Sequence, residues 1–186
     1  PRPPRQRPEP LSRRRRTSGR GMHPAWRAVL LTYFVTHVPA TLILDLQGLA
    51  LELFPPALQN MHGLYVATFK DPLMGERPLW FRSLLSCEAV FQLPFFFAAI
   101  YALYKRDNRI RIPMIVYCSH VVTTMVPILA VLGTHESLSV HERATLLSFY
   151  LPYLLVPLAA GLHFALVPRP FGEPGATGRA PRPKAA

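Results

Sequence analysis

Acidic residues are scarce in this chain: ten Asp and Glu stand against 21 Lys and Arg among 186 residues, for a formal charge of +11. Cysteine is scarcer still. Cys87 and Cys118 both fall in apolar runs and read as buried thiols acting as small hydrophobes, not as a disulfide or a metal pair. The common catalytic signatures are also missing. No HExxH, CxxC pair, P-loop, dinucleotide fingerprint or Ser–His–Asp pattern occurs, so no catalytic residue and no cofactor is assigned. His135-Glu136 and His141-Glu142 lack ligand spacing, and no metal ligand is assigned either.

Long apolar runs, by contrast, are present, although a mean hydropathy of only +0.19 conceals them. A helix rises about 1.5 Å per residue, so crossing a hydrocarbon core of about 30 Å takes roughly 20 residues. Four stretches meet that length: Trp26 to Asp45, about Leu79 to Tyr104, Ile112 to Leu132, and Ala144 to Val167. The expected fold is therefore all-α: an integral membrane four-helix bundle with proline-kinked helices. Residues 22–168 form one membrane domain. Residues 1–21 (PRPPRQRPEPLSRRRRTSGRG) are Pro/Arg-rich without apolar periodicity, residues 169–186 are Pro/Gly/Ala-rich, and both are expected to be disordered tails. A chain beginning at Pro1 with a Met at position 22 also fits translation from Met22, which would leave the arginine run outside the mature protein.

The charge sits around the spans. Arg20, Arg27, Lys105, Arg106, Arg109, Arg111, Arg169, Arg179, Arg182 and Lys184 fall on one side. The other side mixes Lys70, Arg77, Arg82 and Arg143 with Glu52, Asp71, Glu76, Glu136 and Glu142. The positive-inside rule then places both termini in the cytosol. Nothing folded presents the Arg13–Arg16 run, so nucleic acid is not an expected partner. The first apolar run is too long, with His37 and Pro39 inside it, for a cleaved signal peptide.

Between the first two spans lies LALELFPPALQNMHGLYVATFKDPLMGERP, too polar and proline-broken to span. Short interfacial turns over the bundle mouth are expected there, with Asp71 as a turn or cap residue. Every span carries a proline: Pro39, Pro94, Pro127, and Pro152 with Pro157. Such helices bend, and a bundle of four of them favours a central cavity. Glu88 and Gln92, four apart, share a face; so do Tyr117, His120 and Thr124, and so do Tyr150 and Tyr153. For Tyr117, His120 and Tyr153 the expected role is hydrogen bonding between helices.

Asp45 and Glu88 need a different account. A carboxylate in hydrocarbon costs about 2.5–3.5 kcal/mol on insertion scales and persists where it faces a protein interior or a wet cavity. Two nearby carboxylates cannot both ionise cheaply, so they would titrate as a unit sharing a proton. One ionised acid held by its protonated neighbour accepts an amine cation. Tyr150, Phe91 and Phe95 are candidates for cation–π contact. The expected ligand is an amphiphile with an apolar body and one cationic or hydroxyl head.

The stretches YFVTHVPATLILDLQ, FKDPL, CEAVFQLPFF, RIPMIVYCSHVVTTMVPIL and HERATLLSFYLPYLLVP resemble the sigma-2 receptor family of the EXPERA superfamily, relatives of emopamil-binding sterol isomerase. The resemblance covers roughly residues 26–168. It implies a multi-pass protein of the endoplasmic-reticulum membrane, with the nuclear envelope and the lysosomal membrane as further locations. It implies binding of cholesterol or oxysterols and of cationic amphiphilic amines, and a role in cholesterol homeostasis and trafficking. Implied partners are the Niemann–Pick cholesterol transporter, membrane lipid and a second copy in a homodimer. Asp45 matches the aspartate that salt-bridges a ligand amine, and Glu88 its protonated neighbour. Gln92, Thr124, Tyr150 and His37 match pocket positions. The family ends in a lysine-rich retrieval signal, where this chain ends PRPKAA. A receptor without catalysis is the leading expectation; a sterol Δ8–Δ7 isomerase, with Glu88 or Asp45 moving protons, is the alternative.

Overall fold

The computed structural model describes residues 21–172, so the tails expected at 1–21 and 169–186 lie outside the described residues apart from positions 21 and 169–172. The described chain is helical throughout, and four runs are long and apolar enough to cross a membrane: Pro24–Leu53, Leu79–Lys105, Asn108–Thr134 and Val140–Leu166. The expected all-α four-helix membrane bundle is what forms.

The first run comprises α1 (Pro24–Ala40), a π-helical stretch (Thr41–Asp45), α2 (Leu46–Ala50) and a 3₁₀ turn (Leu51–Leu53). Two further helices follow outside the spans, α3 (Pro56–Phe69) and α4 (Pro72–Glu76). The second run is α5 (Leu79–Cys87), a second π-helical stretch (Glu88–Gln92) and α6 (Leu93–Lys105). A 3₁₀ turn (Asn108–Ile110) then leads into α7 (Arg111–Thr134), and α8 (Val140–Leu166) closes the bundle. Helices α7 and α8 pack as a hairpin, α1 lies on α6, and α2 lies on α5.

Side-chain polarity is arranged for lipid. The inward faces meet through Leu30, Phe34, Phe96, Leu103, Met114, Leu146 and Phe164, all buried, while Val35, Phe91, Phe97, Tyr101, Val116, Leu155 and Leu162 are exposed. Large apolar residues facing outward from every span are the pattern of a surface solvated by acyl chains. Close approach is local: a Cβ on Gly161 would sit 3.0 Å from Cys118 Cβ, so the small pair lets α8 come against α7. Cys118 is buried and both cysteines are free.

The segment between the first two spans is more regular than expected. Pro56 enters α3 at its first turn, where the missing N–H costs nothing, and fourteen residues of helix follow. Lys70, in the left-handed region at φ 54°, ends α3. Asp71 then caps α4, accepting from the Leu73 and Met74 amides at 2.9 and 3.1 Å. This lid is fastened to α8 by an ion pair between Lys70 and Glu142 at 2.6 Å. Glu142 also completes a capping box with Ser139.

At the opposite end, cations that the charge count assigned to topology also act as caps. The Arg111 guanidinium donates to the Phe164 carbonyl at 2.8 Å and the Ala165 carbonyl at 2.9 Å, closing α8. Residues 169–172, placed by the sequence in a tail, pack on the bundle. The Phe171 amide donates to Asn108 Oδ1 at 3.0 Å, and Asn108 Nδ2 donates to the Gly172 carbonyl at 3.0 Å. One asparagine amide, through both its ends, carries the folded unit past position 168.

Candidate functional site: an acidic pair in the bundle cavity

Both intramembrane acids sit in the two π-helical stretches. At the end of the first, the Leu46 amide reaches the Thr41 carbonyl; at the end of the second, the Leu93 amide reaches the Glu88 carbonyl. These are i→i−5 bonds, and such breaks cluster at functional positions because they push a residue out of helical register. Pro39 precedes one and Pro94 follows the other, each lacking the N–H that an unbroken ladder would use.

The two stretches face one another. Thr41 Oγ1, fully buried, donates to Glu88 Oε1 at 2.6 Å. His37 Nε2 lies 3.7 Å from the same oxygen. A ring nitrogen of His37 and one oxygen each of Asp45 and Glu88 all lie within 4.8 Å of one another. Among the described residues this is the one grouping of at least three such donors; the sequence had assigned no metal ligand and had weighed the two cysteines and the His135 and His141 pairs. One imidazole with two carboxylates suits a divalent ion as well as an ammonium. Tyr33, Phe96 and Tyr153 surround the His37 ring, with centroids 4.8–5.0 Å away.

The acids open onto a cavity of about 460 Å³. All six residues expected at a ligand site (Asp45, Glu88, Gln92, Thr124, Tyr150 and His37) line it. Much of the remaining wall is apolar, including Phe81, Leu84, Leu85, Val121, Met125 and Ile128. The lid closes one end through Met61, His62 and Tyr65 of α3 and Met74 of α4.

Other expectations are corrected. Phe91 and Phe95, offered as cation–π partners, lie in a separate outward groove with Ile112, Val116 and His120. Phe91 is exposed, and Phe95 stacks on Tyr117 at 4.7 Å instead. The Tyr117–His120–Thr124 stripe divides between environments because α7 borders both the cavity and the outward groove. Tyr117 meets the Tyr33 hydroxyl at 3.3 Å, His120 lies in the groove, and Thr124 reaches the cavity. Tyr117 thus does link helices. Tyr153 lines the cavity against His37.

Sequence reasoning missed the bonds that tie the lid to the cavity tyrosines and two further polar groups in the wall. Asp71, 1 % exposed, receives the Tyr65 hydroxyl at 3.0 Å and the Tyr150 hydroxyl at 2.7 Å besides its two amides. Burial and the neighbouring Asp71 charge push the Tyr65 phenol far above its ordinary range, so it stays a donor. Gln47 and His62, both buried, also line the cavity. The His62 imidazole is held below its usual range by desolvation first and the Arg77 charge second, and is neutral near pH 7. Gln47, two positions past Asp45, gave no periodic signal, because i and i+2 do not share a helix face; His62 gave none either, because α3 itself was not foreseen.

A half-buried acidic pair and an imidazole facing a largely apolar chamber thus sit within four spans able to cross a membrane. The EXPERA (EXPanded EBP superfamily) model matches residues 57–164, and the chain belongs to this family. It is 46% identical over 139 residues to sigma intracellular receptor 2 of Homo sapiens, covering 67% of this chain and 78% of that protein. Identity to sigma intracellular receptor 2 of Xenopus tropicalis is 42% over 151 residues, 76% and 88% of the two chains. Identity to efficient mitochondria targeting-associated protein 19 of Schizosaccharomyces pombe is 32% over 131 residues, 68% and 67% of the two. A multi-pass membrane protein of the EXPERA superfamily, akin to receptors, is what fold and relatives together define.

Proposed function

We propose that this protein is an intracellular membrane receptor that takes sterols and cationic amphiphilic amines into the bundle cavity and acts in cholesterol homeostasis and trafficking. The observation that carries the reading is the acidic pair in the cavity wall. Glu88 receives one hydroxyl, from Thr41, and shares its remaining surroundings with Asp45, His37 and an apolar chamber. Two carboxyls sharing one proton carry a single negative charge, which an ammonium neutralises while its apolar body fills the walls. A sterol hydroxyl hydrogen-bonds the same carboxyls in either protonation state. Four spans put both termini on one side, which the charge bias assigns to the cytosol, with the endoplasmic-reticulum membrane as location and the Niemann–Pick cholesterol transporter as partner. The test is direct titration of the full chain in lipid nanodiscs with a quaternary ammonium amphiphile and with a sterol. Saturable binding of the cation that disappears in Asp45→Asn supports the reading; unchanged binding in that variant overturns it.

A second reading has one observation in its favour. His37, which the sequence left eight residues from Asp45 and on a different helix from Glu88, stands beside both, supplying an imidazole for acid–base work. Incubation of the same nanodiscs with a Δ8 sterol, scored for double-bond migration, separates isomerase from receptor.

A further inference from the structure

Amine binding by Asp45 and Glu88 leaves His37 without a task. Its ring is 8 % exposed, and Nδ1 is buried without a hydrogen-bond partner among the described residues. Nε2 stands 3.7 Å from Glu88 Oε1, beyond hydrogen-bond length. Buried polar atoms are ordinarily paired, so an imidazole in a cavity wall with no bond is a demand left open. The ring is nonetheless held in place. Tyr33 and Tyr153 meet it edge to face and Phe96 lies against it. It brings one nitrogen together with one oxygen each of Asp45 and Glu88, all within 4.8 Å of one another, from two different spans. Zinc–ligand bonds of about 2.1 Å put two ligand atoms about 3.4 Å apart at the tetrahedral angle. The 3.7 Å between Nε2 and Oε1, too long for a direct bond, therefore suits an ion between them.

We propose that His37, Asp45 and Glu88 form a site for a divalent ion of the zinc class, with its remaining coordination position open to the cavity. The donor set selects the class. Magnesium and calcium take about six or more oxygens, which one imidazole and two carboxylates do not supply. Copper(I) prefers thiolates, and neither cysteine is in the set. Zinc takes nitrogen and oxygen tetrahedrally, and accepts three protein ligands with the last place left to water or a ligand. Charge points the same way. A divalent ion balances both carboxylates, where an ammonium balances one, and charges out of water persist when they are balanced. Metal and ammonium then compete for the same oxygens, and the cavity holds one or the other. Such a site stands whether or not an amine is the natural ligand.

The test titrates the tag-free full chain, in nanodiscs of zwitterionic lipid, with Co²⁺, whose visible absorption reports its coordination, and then displaces it with Zn²⁺. A single equivalent should bind with the intense bands of a four-coordinate ion. His37→Gln, Asp45→Asn and Glu88→Gln should each lower Zn²⁺ affinity by more than the roughly 10–100-fold that losing an outer-shell partner costs. His135→Gln and His141→Gln, which do not line the cavity, should leave it in place. Circular dichroism of each variant checks that the helices form. A competition on the unaltered chain needs no variant: Zn²⁺ should raise the apparent Kd of a quaternary ammonium amphiphile in proportion to its concentration. Ammonium binding without any Co²⁺ binding overturns the metal site and leaves the receptor reading standing. Co²⁺ binding that survives His37→Gln, or that is lost with His135 or His141, marks an exterior site and overturns it too. So does simultaneous binding of Zn²⁺ and ammonium with no mutual effect. Co²⁺ binding lost in the three cavity variants, in a chain that binds no ammonium, supports the metal site and overturns the receptor reading.

Discussion

Two places in this molecule bury carboxylates, and they are handled in opposite ways. Asp71 in the lid accepts four hydrogen bonds, from two amides and two tyrosines. Asp45 and Glu88 bond to each other and to the Thr41 hydroxyl, and face a cavity. A buried acid whose lone pairs are filled by its own chain is a fastening, because nothing remains to offer a ligand. One whose lone pairs are open is held ready for something else, at a cost the fold must bear. Asp71 is closed off at 1 % exposure and saturated, whereas Asp45 and Glu88 are half-buried and open to the cavity.

The largest test of that contrast is Asp45→Asn. Removing the charge that faces a buried cation should weaken quaternary-amine binding by at least about 100-fold, from the few kcal/mol that an unpaired buried charge costs. Thermal stability should fall less than for Asp71→Asn, since the bonds of Asp45 are confined to Glu88 and Thr41. Equal losses of stability and binding would erase the distinction. Asp71→Asn should do the reverse, lowering stability by about 2 kcal/mol as charged acceptor bonds become neutral ones, and loosening ligand only through the lid. Thermal unfolding in nanodiscs, beside ligand titration, reads both.

Glu88→Gln should cost less than Asp45→Asn, about tenfold in amine affinity, because an amide still occupies the Thr41 bond and the pair keeps one ionisable acid. A loss as deep as that of Asp45→Asn would mean both acids contact the cation as charges. Tyr150→Phe is smaller again: one hydroxyl leaves Asp71, for about 1 kcal/mol of stability, with three donors remaining. Acidification sharpens the comparison further. Protonating the Asp45–Glu88 pair removes its negative charge, so affinity for a quaternary amine, which cannot titrate, should fall with pH while sterol affinity changes less. Parallel curves for the two ligands would point to the lid or the whole fold instead of the pair.

The contrast also shows what a sequence can and cannot disclose. The spans were legible because twenty apolar residues have few other uses, and the acids because hydrocarbon makes them conspicuous. Prolines announced that the helices break, but not that Thr41–Asp45 and Glu88–Gln92 would break as π turns. Asp71 looked like a turn residue, and it is one. Its tyrosines lie six and 79 positions away, a separation that no local pattern encodes. The Phe-Pro-Pro before α3 read as a breaker, although proline at the first turn is also a helix start. Residues 169–172 read as tail because their composition is polar, while two bonds to Asn108 decide their place.

The π turns bear on how this chain tolerates length changes. Each residue advances a helix by about 100°, so dropping one position from Thr41–Asp45 would swing everything from Leu46 to Leu53 by that angle. Gly48 would turn away from Leu85, against which a Cβ would sit only 2.7 Å off, and Gln47 would leave the chamber. A deletion of this kind alters no side chain, yet it redraws one wall of the cavity. The bundle is thus far stricter about counting residues within these five-residue windows than about which apolar residues fill its lipid-facing surface.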